Sequence, residues 1–97
     1  MTGSDPVVRR MSITRREFLR TLPDALGTPE FVACGDRFIV AAYGRTVEIA
    51  FIEEVALRIA SLTLPFARIE LSFDGYDAGQ IAAFMRRFDL YFHRGGG

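Results

Sequence analysis

Apolar residues in this chain follow two spacings, which divide it into helices near both ends and strands between them. Residues 46–52 and 68–73 alternate apolar and polar side chains, the pattern of a strand with one buried face. Residues 37–43 form a short apolar run before a Gly-Arg turn, which also favours a strand. Apolar residues that recur every three or four positions after Thr14 and after Asp77 predict two amphipathic helices.

Both predicted helices carry a signal for their first turn. Thr14 and Glu17 have the spacing of a capping box, in which each side chain accepts a hydrogen bond from a backbone N–H at the helix start. Asp77 and Gln80 repeat this spacing before the second helix. The first helix should end or kink just before Pro23, because proline cannot donate a hydrogen bond within a helix interior.

The segment 53–64 fits two patterns. Its apolar residues include a helical spacing, but Leu62 and Leu64 also alternate around a threonine as a strand would. Pro65 prevents a long helix from running on. We therefore favour a strand over residues 58–64 with a hairpin-like turn at Pro65.

These elements predict a two-layer α+β domain in the order α-β-β-β-β-α. Short connections favour an antiparallel meander of about four strands, and polar residues at positions 48, 68, 70 and 72 indicate one solvated sheet face. The N-terminal and C-terminal helices would then cover the other face. Residues 1–11 are predicted to be a flexible leader, with Met11 as a second candidate start, and residues 12–97 a single α+β domain.

Charge and composition exclude several classes of function. Among 97 residues, twelve acidic side chains balance twelve basic ones, so the formal net charge is zero, and every basic residue is arginine. Zero net charge gives no long-range attraction to nucleic acid or to an anionic membrane. No apolar run approaches the about 20 residues that span a bilayer. We therefore expect no membrane partner and disfavour a nucleic-acid partner.

Residues 14–20, TRREFLR, resemble a twin-arginine export signal, and residues 31–34 loosely resemble a lipoprotein cleavage box ending at Cys34. An export signal also needs an apolar segment of about 7–15 residues. Here the following window, residues 21–30, contains two prolines and two acids. The capping box already explains Thr14 and Glu17 as a helix start. The motif is interpreted as a decoy, and the protein is expected to be cytoplasmic.

Six residues are candidates for a ligand or anion site. His93 and Arg94 could bind an anion with Arg86 and Arg87, although basic residues also complement the negative end of a helix dipole. Cys34 is the one thiol and His93 the one imidazole, so a nucleophilic pair would require them to meet in the fold. The six candidates are Cys34, Arg86, Arg87, Tyr91, His93 and Arg94.

No spacing in the sequence indicates catalysis, a metal site or a cofactor. Glu53 and Glu54 are adjacent, so in a strand they point to opposite faces and cannot share a proton. One His and one Cys cannot build a zinc site or a disulfide framework. We predict no catalytic residues, no metal ligands and no cofactor, and favour a non-enzymatic domain.

The C-terminal region carries two resemblances. Residues 95–97, Gly-Gly-Gly, invite comparison with ubiquitin-like modifiers and sulfur carriers, but here they follow a helix, and the predicted element order does not fit their β-grasp fold. Residues 58–65 together with 84–97, FMRRFDLYFHRGGG, resemble the C-terminal half of small uncharacterised bacterial proteins. That resemblance implies a free-standing small domain with a native glycine end. It implies no activity and no catalytic residues.

Three hypotheses for function remain. The first is a small non-enzymatic interaction module that forms a homo-oligomer or binds another protein, since nine Phe and three Tyr are many for one small core. The alternative is a ligand-binding domain or minor enzyme with a cleft between sheet and helices, near Cys34, Tyr91 or His93. The third is nucleic-acid binding through Arg58, Arg68, Arg86 and Arg87.

Overall fold

A computed structural model of the chain describes residues 5–54 and 57–93, which form two helices and seven strands. In chain order the elements are β1 (Val7–Met11), α1 (Arg15–Leu26), β2 (Val32–Cys34), β3 (Arg37–Ala42), β4 (Arg45–Glu53), β5 (Leu57–Ile59), β6 (Leu62–Leu64), β7 (Ala67–Asp74) and α2 (Ala78–His93). Five strands form one sheet, and β5 and β6 form a separate two-stranded hairpin.

The main sheet has the strand order β1-β7-β4-β3-β2, and all neighbouring strands are antiparallel. Strands β2, β3, β4 and β7 form a meander, with the β5–β6 hairpin inserted between β4 and β7. Helices α1 and α2 pack against each other on one face of the sheet. The two-layer α+β fold with helices near both ends, predicted from the sequence, is confirmed.

One face of the sheet enters the core because side chains alternate along the central strands. Ile49 of β4 and Leu71 of β7 lie opposite each other in the register, and both are fully buried. Phe18 of α1 packs above them, with its ring centroid 5.0 Å from that of Phe51 in β4 and 5.1 Å from that of Phe92 in α2. Phenylalanine rings therefore join both helices to the sheet.

Both predicted capping boxes are present. The Glu17 N–H donates to Thr14 Oγ1 at 3.1 Å, and the Thr14 N–H donates to Glu17 Oε1 at 3.0 Å. In α2, the Gln80 N–H donates to Asp77 Oδ1 at 2.8 Å, and the Asp77 N–H donates to Gln80 Oε1 at 2.9 Å. The sequence therefore located the starts of both helices correctly.

The end of α1 differs from the prediction. The helix continues through Pro23 to Leu26 and ends at Gly27, whose φ of 78° lies in the left-handed region. The Gly27 N–H donates to the Pro23 carbonyl oxygen at 2.9 Å, and burial of Leu22 and Ala25 holds this last turn on the core. Packing and the glycine cap outweigh the hydrogen bond that Pro23 cannot donate.

Part of the predicted flexible leader is a strand. Val7–Met11 form β1 at the edge of the sheet, while residues 1–4 lie outside the described chain. The alternation of β1 is hard to recognise because Arg9 occupies a core-facing position, opposite the buried Ile69. Its guanidinium forms a bidentate ion pair with Asp89 of α2, with both N–O distances 2.9 Å, which makes a charged residue acceptable there.

The segment predicted as one strand over residues 58–64 is a hairpin. Strands β5 and β6 contain three residues each, and the turn lies at Ala60 and Ser61 rather than at Pro65. The choice of strand over helix is correct. The turn escaped prediction because Ala60 adopts a positive φ of 55°, a conformation that a Gly, Asn or Asp would have signalled.

Candidate interaction surface

The large apolar side chains that reach the surface are not phenylalanines. All nine Phe are buried or half-buried. Within the described chain, the exposed large hydrophobic residues are Val8, Val32, Tyr43, Leu62 and Leu90. The core accommodates the phenylalanines that motivated the interaction hypothesis, so an interaction site has to be sought among Tyr43 and the exposed aliphatic residues on the strands and α2.

The β5–β6 hairpin exposes an aliphatic residue. Its register pairs Leu57 with Leu64 and Ile59 with Leu62. Leu62 is 63% exposed, Leu64 is half-buried, and neither belongs to the core cluster. Thr63 lies on the opposite face from Leu62 and is also exposed. An isolated two-stranded hairpin is only marginally stable in water, so the exposed Leu62 is suited to contact with a partner.

The face of the main sheet that points away from the helices, called the open face below, carries charged, small and aliphatic residues in rows. One row crosses the sheet from β1 to β2 through Val8, Glu70, Ala50, Arg37 and Cys34. The next row runs from β7 to β2 through Ser72, Glu48, Ile39 and Val32. These positions alternate with the buried ones, so the solvated face expected from the polar positions is present.

Arginine–glutamate pairs connect the strands of the open face. Arg68 of β7 contacts Glu70 at 2.9 Å and also pairs with Glu54, just beyond β4. Glu54 in turn lies 3.6 Å from Arg10 of β1. Each arginine of this network therefore meets an acid on the same sheet face. Glu54 could not be predicted as a shared partner, because only the strand register brings these side chains together.

A second pair lies on the other side of the open face. Arg37 of β3 pairs with Glu48 of β4, and the register places Ala50 and Ile39 beside them. The open face thus holds equal numbers of arginine and glutamate side chains in ion pairs, from Arg10, Arg37 and Arg68 and from Glu48, Glu54 and Glu70. It is a surface with mixed charges, and Asp74 at the end of β7 adds one further acid.

Two of the six candidate site residues, Arg87 and Tyr91, contact each other, and Arg87 also joins the two helices. Arg87 donates from Nε and Nη2 to the carbonyl oxygen of Asp24, at 3.1 and 2.9 Å. The same guanidinium lies 5.1 Å from the ring centroid of Tyr91. The two hydrogen bonds of Arg87 fasten the end of α1 to α2, at a carbonyl oxygen that also accepts from the Gly27 N–H at 3.3 Å. Arg86, next along α2, is exposed.

The sheet separates Cys34 from the candidates of α2 whose side chains the structure describes. Cys34 is exposed in β2 on the open face, whereas α2, with Tyr91, covers the opposite face. His93 is the last residue of α2, and its side chain lies outside the description, as does all of Arg94. Between the layers, the space is occupied by fully buried side chains such as Phe18 and Phe88.

The four arginines considered for nucleic-acid binding lie on three different surfaces. Arg58 is on the hairpin, Arg68 is within the ion pairs of the open face, and Arg86 and Arg87 are on α2. Phosphate binding along a backbone needs basic groups on one face. In this fold the four arginines lie apart instead, and Arg68 and Arg87 contact other groups within the chain.

Shifted pKa values in the described chain have structural causes. The backbone N–H and hydroxyl of Thr14 lower the pKa of Glu17. Burial raises the pKa of Tyr76, against the opposing effect of the Arg45 guanidinium, which lies 5.3 Å from its ring centroid. Hydrogen bonds to Asp89 raise the pKa of Arg9. None of the three groups faces a cleft, so these shifts do not indicate a general acid or base.

The segment that resembles an export signal is part of the folded domain. Thr14 caps α1, Arg15 Nε donates to Asp36 Oδ1 at 2.8 Å, and Phe18 is fully buried. Residues 32–34 of the cleavage-box resemblance form strand β2. Across residues 5–54 and 57–93, no helix has the length and apolar character needed to cross a membrane.

Comparisons with known proteins assign no family to this chain. No cluster of three or more potential ligand side chains that could hold a metal ion occurs in the described part of the structure. No protein-family model matches the sequence. Searches of curated proteins and of solved structures likewise find no significant match. The hairpin and the open face are therefore the features on which a functional interpretation can rest.

Proposed function

We propose that this protein is a non-enzymatic interaction module that self-associates. The observation that carries the proposal is the β5–β6 hairpin, in which Leu62 is exposed and neither Leu62 nor Leu64 belongs to the core cluster. Burying one leucine side chain contributes about 1.5–3 kcal/mol. A second chain that covers this face would therefore stabilise both the hairpin and the complex.

The proposed partner is a second copy because the apolar face of the hairpin is complementary to itself. A twofold-symmetric contact places the same patch of each subunit against the other, which is the commonest arrangement of soluble oligomers. The zero net charge of the chain gives no preference for a strongly charged partner. A different protein with an apolar surface remains the alternative that the experiment below separates.

We also propose that residues 14–20 act as a helix start in a cytoplasmic protein rather than as an export signal. The support is the burial of Phe18 and the double hydrogen bond of the capping box, since cleavage after this segment would remove α1 from the core. Intact mass spectrometry of protein from its native cells should find α1 retained. A mature form that begins after residue 30 would contradict this.

The test of self-association compares two glutamate substitutions on opposite faces of one hairpin. Leu62→Glu should weaken association at least about tenfold, because it places a charge on the apolar face. Thr63→Glu is the matched control and should leave association unchanged, because Thr63 faces the other way. Size-exclusion chromatography with light scattering over a concentration series measures both variants.

Three outcomes decide the proposal. Loss of association in Leu62→Glu alone supports it. A wild-type chain that stays monomeric at the highest concentrations overturns self-association, and binding of the monomer to another protein in a Leu62-dependent way would favour the alternative. If both substitutions weaken association equally, the cause is general destabilisation of the fold, which circular dichroism melting would reveal. The hairpin would then no longer support the proposal.

A further inference from the structure

We infer that the open face of the five-stranded sheet is the main contact surface between two copies of this chain, packed face to face. The inference rests on the proposed self-association and adds to it a surface, a symmetry and a stoichiometry. The hairpin alone consists of two three-residue strands. A standard interface buries about 800 Å² per partner, which is more than so small a patch provides.

The open face offers a much larger area than the hairpin. Its five strands contain between three and nine residues each. With strands about 4.8 Å apart and a rise of about 3.3 Å per residue, the face measures on the order of 500 Å² in projection. Side-chain relief raises the accessible area above this value, towards that of a standard interface.

Charge complementarity selects a second copy as the occupant. The open face pairs three arginines with three glutamates across its strands. A partner of one charge sign would gain attraction from half of these groups and repulsion from the other half. A twofold-related copy presents the same balanced set, so its arginines and glutamates can meet their opposites.

The existing ion pairs also reduce the cost of burying this face. An isolated charge that loses its water is strongly destabilising, whereas a paired and hydrogen-bonded charge is less so. Arg68 already contacts Glu70 and Glu54, and Arg37 already pairs with Glu48. Between these pairs, Ala50 is small and Ile39 is aliphatic, which permits close approach of a second sheet at about 10 Å.

Exposed aliphatic residues flank the charged centre. Val8 lies on β1 and Val32 on β2, at opposite sides of the open face, and both are exposed. A twofold axis parallel to the strands would place β1 of one copy over β2 of the other. The two valines of each copy would then be covered by the partner's outer strands, which gives the interface an apolar contribution at both sides.

The test uses two separate variants, each of which places an arginine on a different layer of the fold. Ser72→Arg places a long side chain on the open face, opposite Glu48 in the register, where it can pair within the monomer while blocking a second sheet. Ala83→Arg places arginine on the exposed side of α2 as the matched control. Light scattering should show association weakened at least about tenfold by Ser72→Arg and unchanged by Ala83→Arg.

A second readout uses Cys34, the chain's one cysteine, which lies on the open face. The rate of maleimide labelling should fall as wild-type concentration rises, and should stay constant with concentration in Ser72→Arg. If wild type associates but Ser72→Arg does so equally well and Leu62→Glu does not, the face-to-face inference is overturned and the hairpin proposal stands. Dissociation by Ala83→Arg alone would assign the interface to the helical layer and overturn the inference as well.

Discussion

The two faces of one sheet show how differently the same alternating strands can be stabilised. On the covered face, Ile49 and Leu71 lie under Phe18 and have no contact with water. On the open face, at the adjacent position of each strand, Ala50 and Glu70 remain partly accessible and lie beside ion pairs. The covered face accounts for most of the folding free energy because burial of apolar area outweighs partly exposed ion pairs. The open face is consequently available for recognition.

The hairpin extends this contrast. Leu62 and Leu64 alternate around Thr63 as the apolar residues of β7 alternate with polar ones, yet neither belongs to the core cluster. Alternation predicts which residues share a face, whereas the presence of a covering layer decides whether that face becomes core or contact surface. The exposed Leu62 is the main reason to interpret this chain as a module that associates.

The largest effect should come from the covered face. Phe18→Ala removes a ring that contacts both Phe51 and Phe92, so we expect a loss of about 3–5 kcal/mol in the free energy of unfolding. Arg20→Ala, on the exposed side of the same helix, should change it by less than about 0.5 kcal/mol. Urea denaturation measures both. Comparable losses in the two variants would contradict the assignment of the core.

A much smaller effect is expected on the open face. Arg68→Ala removes contacts to Glu54 and Glu70, but the half-exposed pairs contribute at most about 1 kcal/mol. Urea denaturation at low protein concentration should show this difference shrinking at high salt, because salt screens partly exposed charges. Arg86→Ala on α2 serves as the control. A loss as large as that of Phe18→Ala would show that the two faces contribute equally to stability.

The smallest expected effect concerns pH and the start of α1. Hydrogen bonds from Thr14 lower the pKa of Glu17 below its ordinary value of 4.5, so the folded state binds this proton less tightly than the unfolded state. The stabilisation is complete above pH 4.5 and is lost as the pH falls through the lower pKa of the folded state. Thermal melts should show the difference between wild type and Glu17→Gln decreasing over that range. A constant difference would contradict the charged capping contact.

The sequence predicted the features that depend on near neighbours. Thr14 with Glu17 and Asp77 with Gln80 are three residues apart, so their capping contacts follow from local spacing alone. The two-layer architecture followed from the periods of the strands and helices. The solvated face could be predicted equally well, because alternation determines which residues share it.

Features that depend on distant contacts escaped prediction. Strand β1 was missed because Arg9 breaks the apolar pattern and is satisfied only by Asp89, 80 positions away. The network of Arg10, Glu54 and Arg68 exists only because β1 and β4 both flank β7. The separation of Cys34 from Tyr91 could not be predicted for the same reason: they lie on opposite sides of a sheet whose register the sequence does not reveal.

Sedimentation equilibrium of the full chain over a range of loading concentrations tests the central claim most directly. We predict a reversible equilibrium between one chain of 10.9 kDa and a species of twice that mass, shifted towards the single chain by Leu62→Glu and by Ser72→Arg. A wild-type chain that sediments with the mass of one chain at every concentration would contradict the claim that this protein acts by self-association.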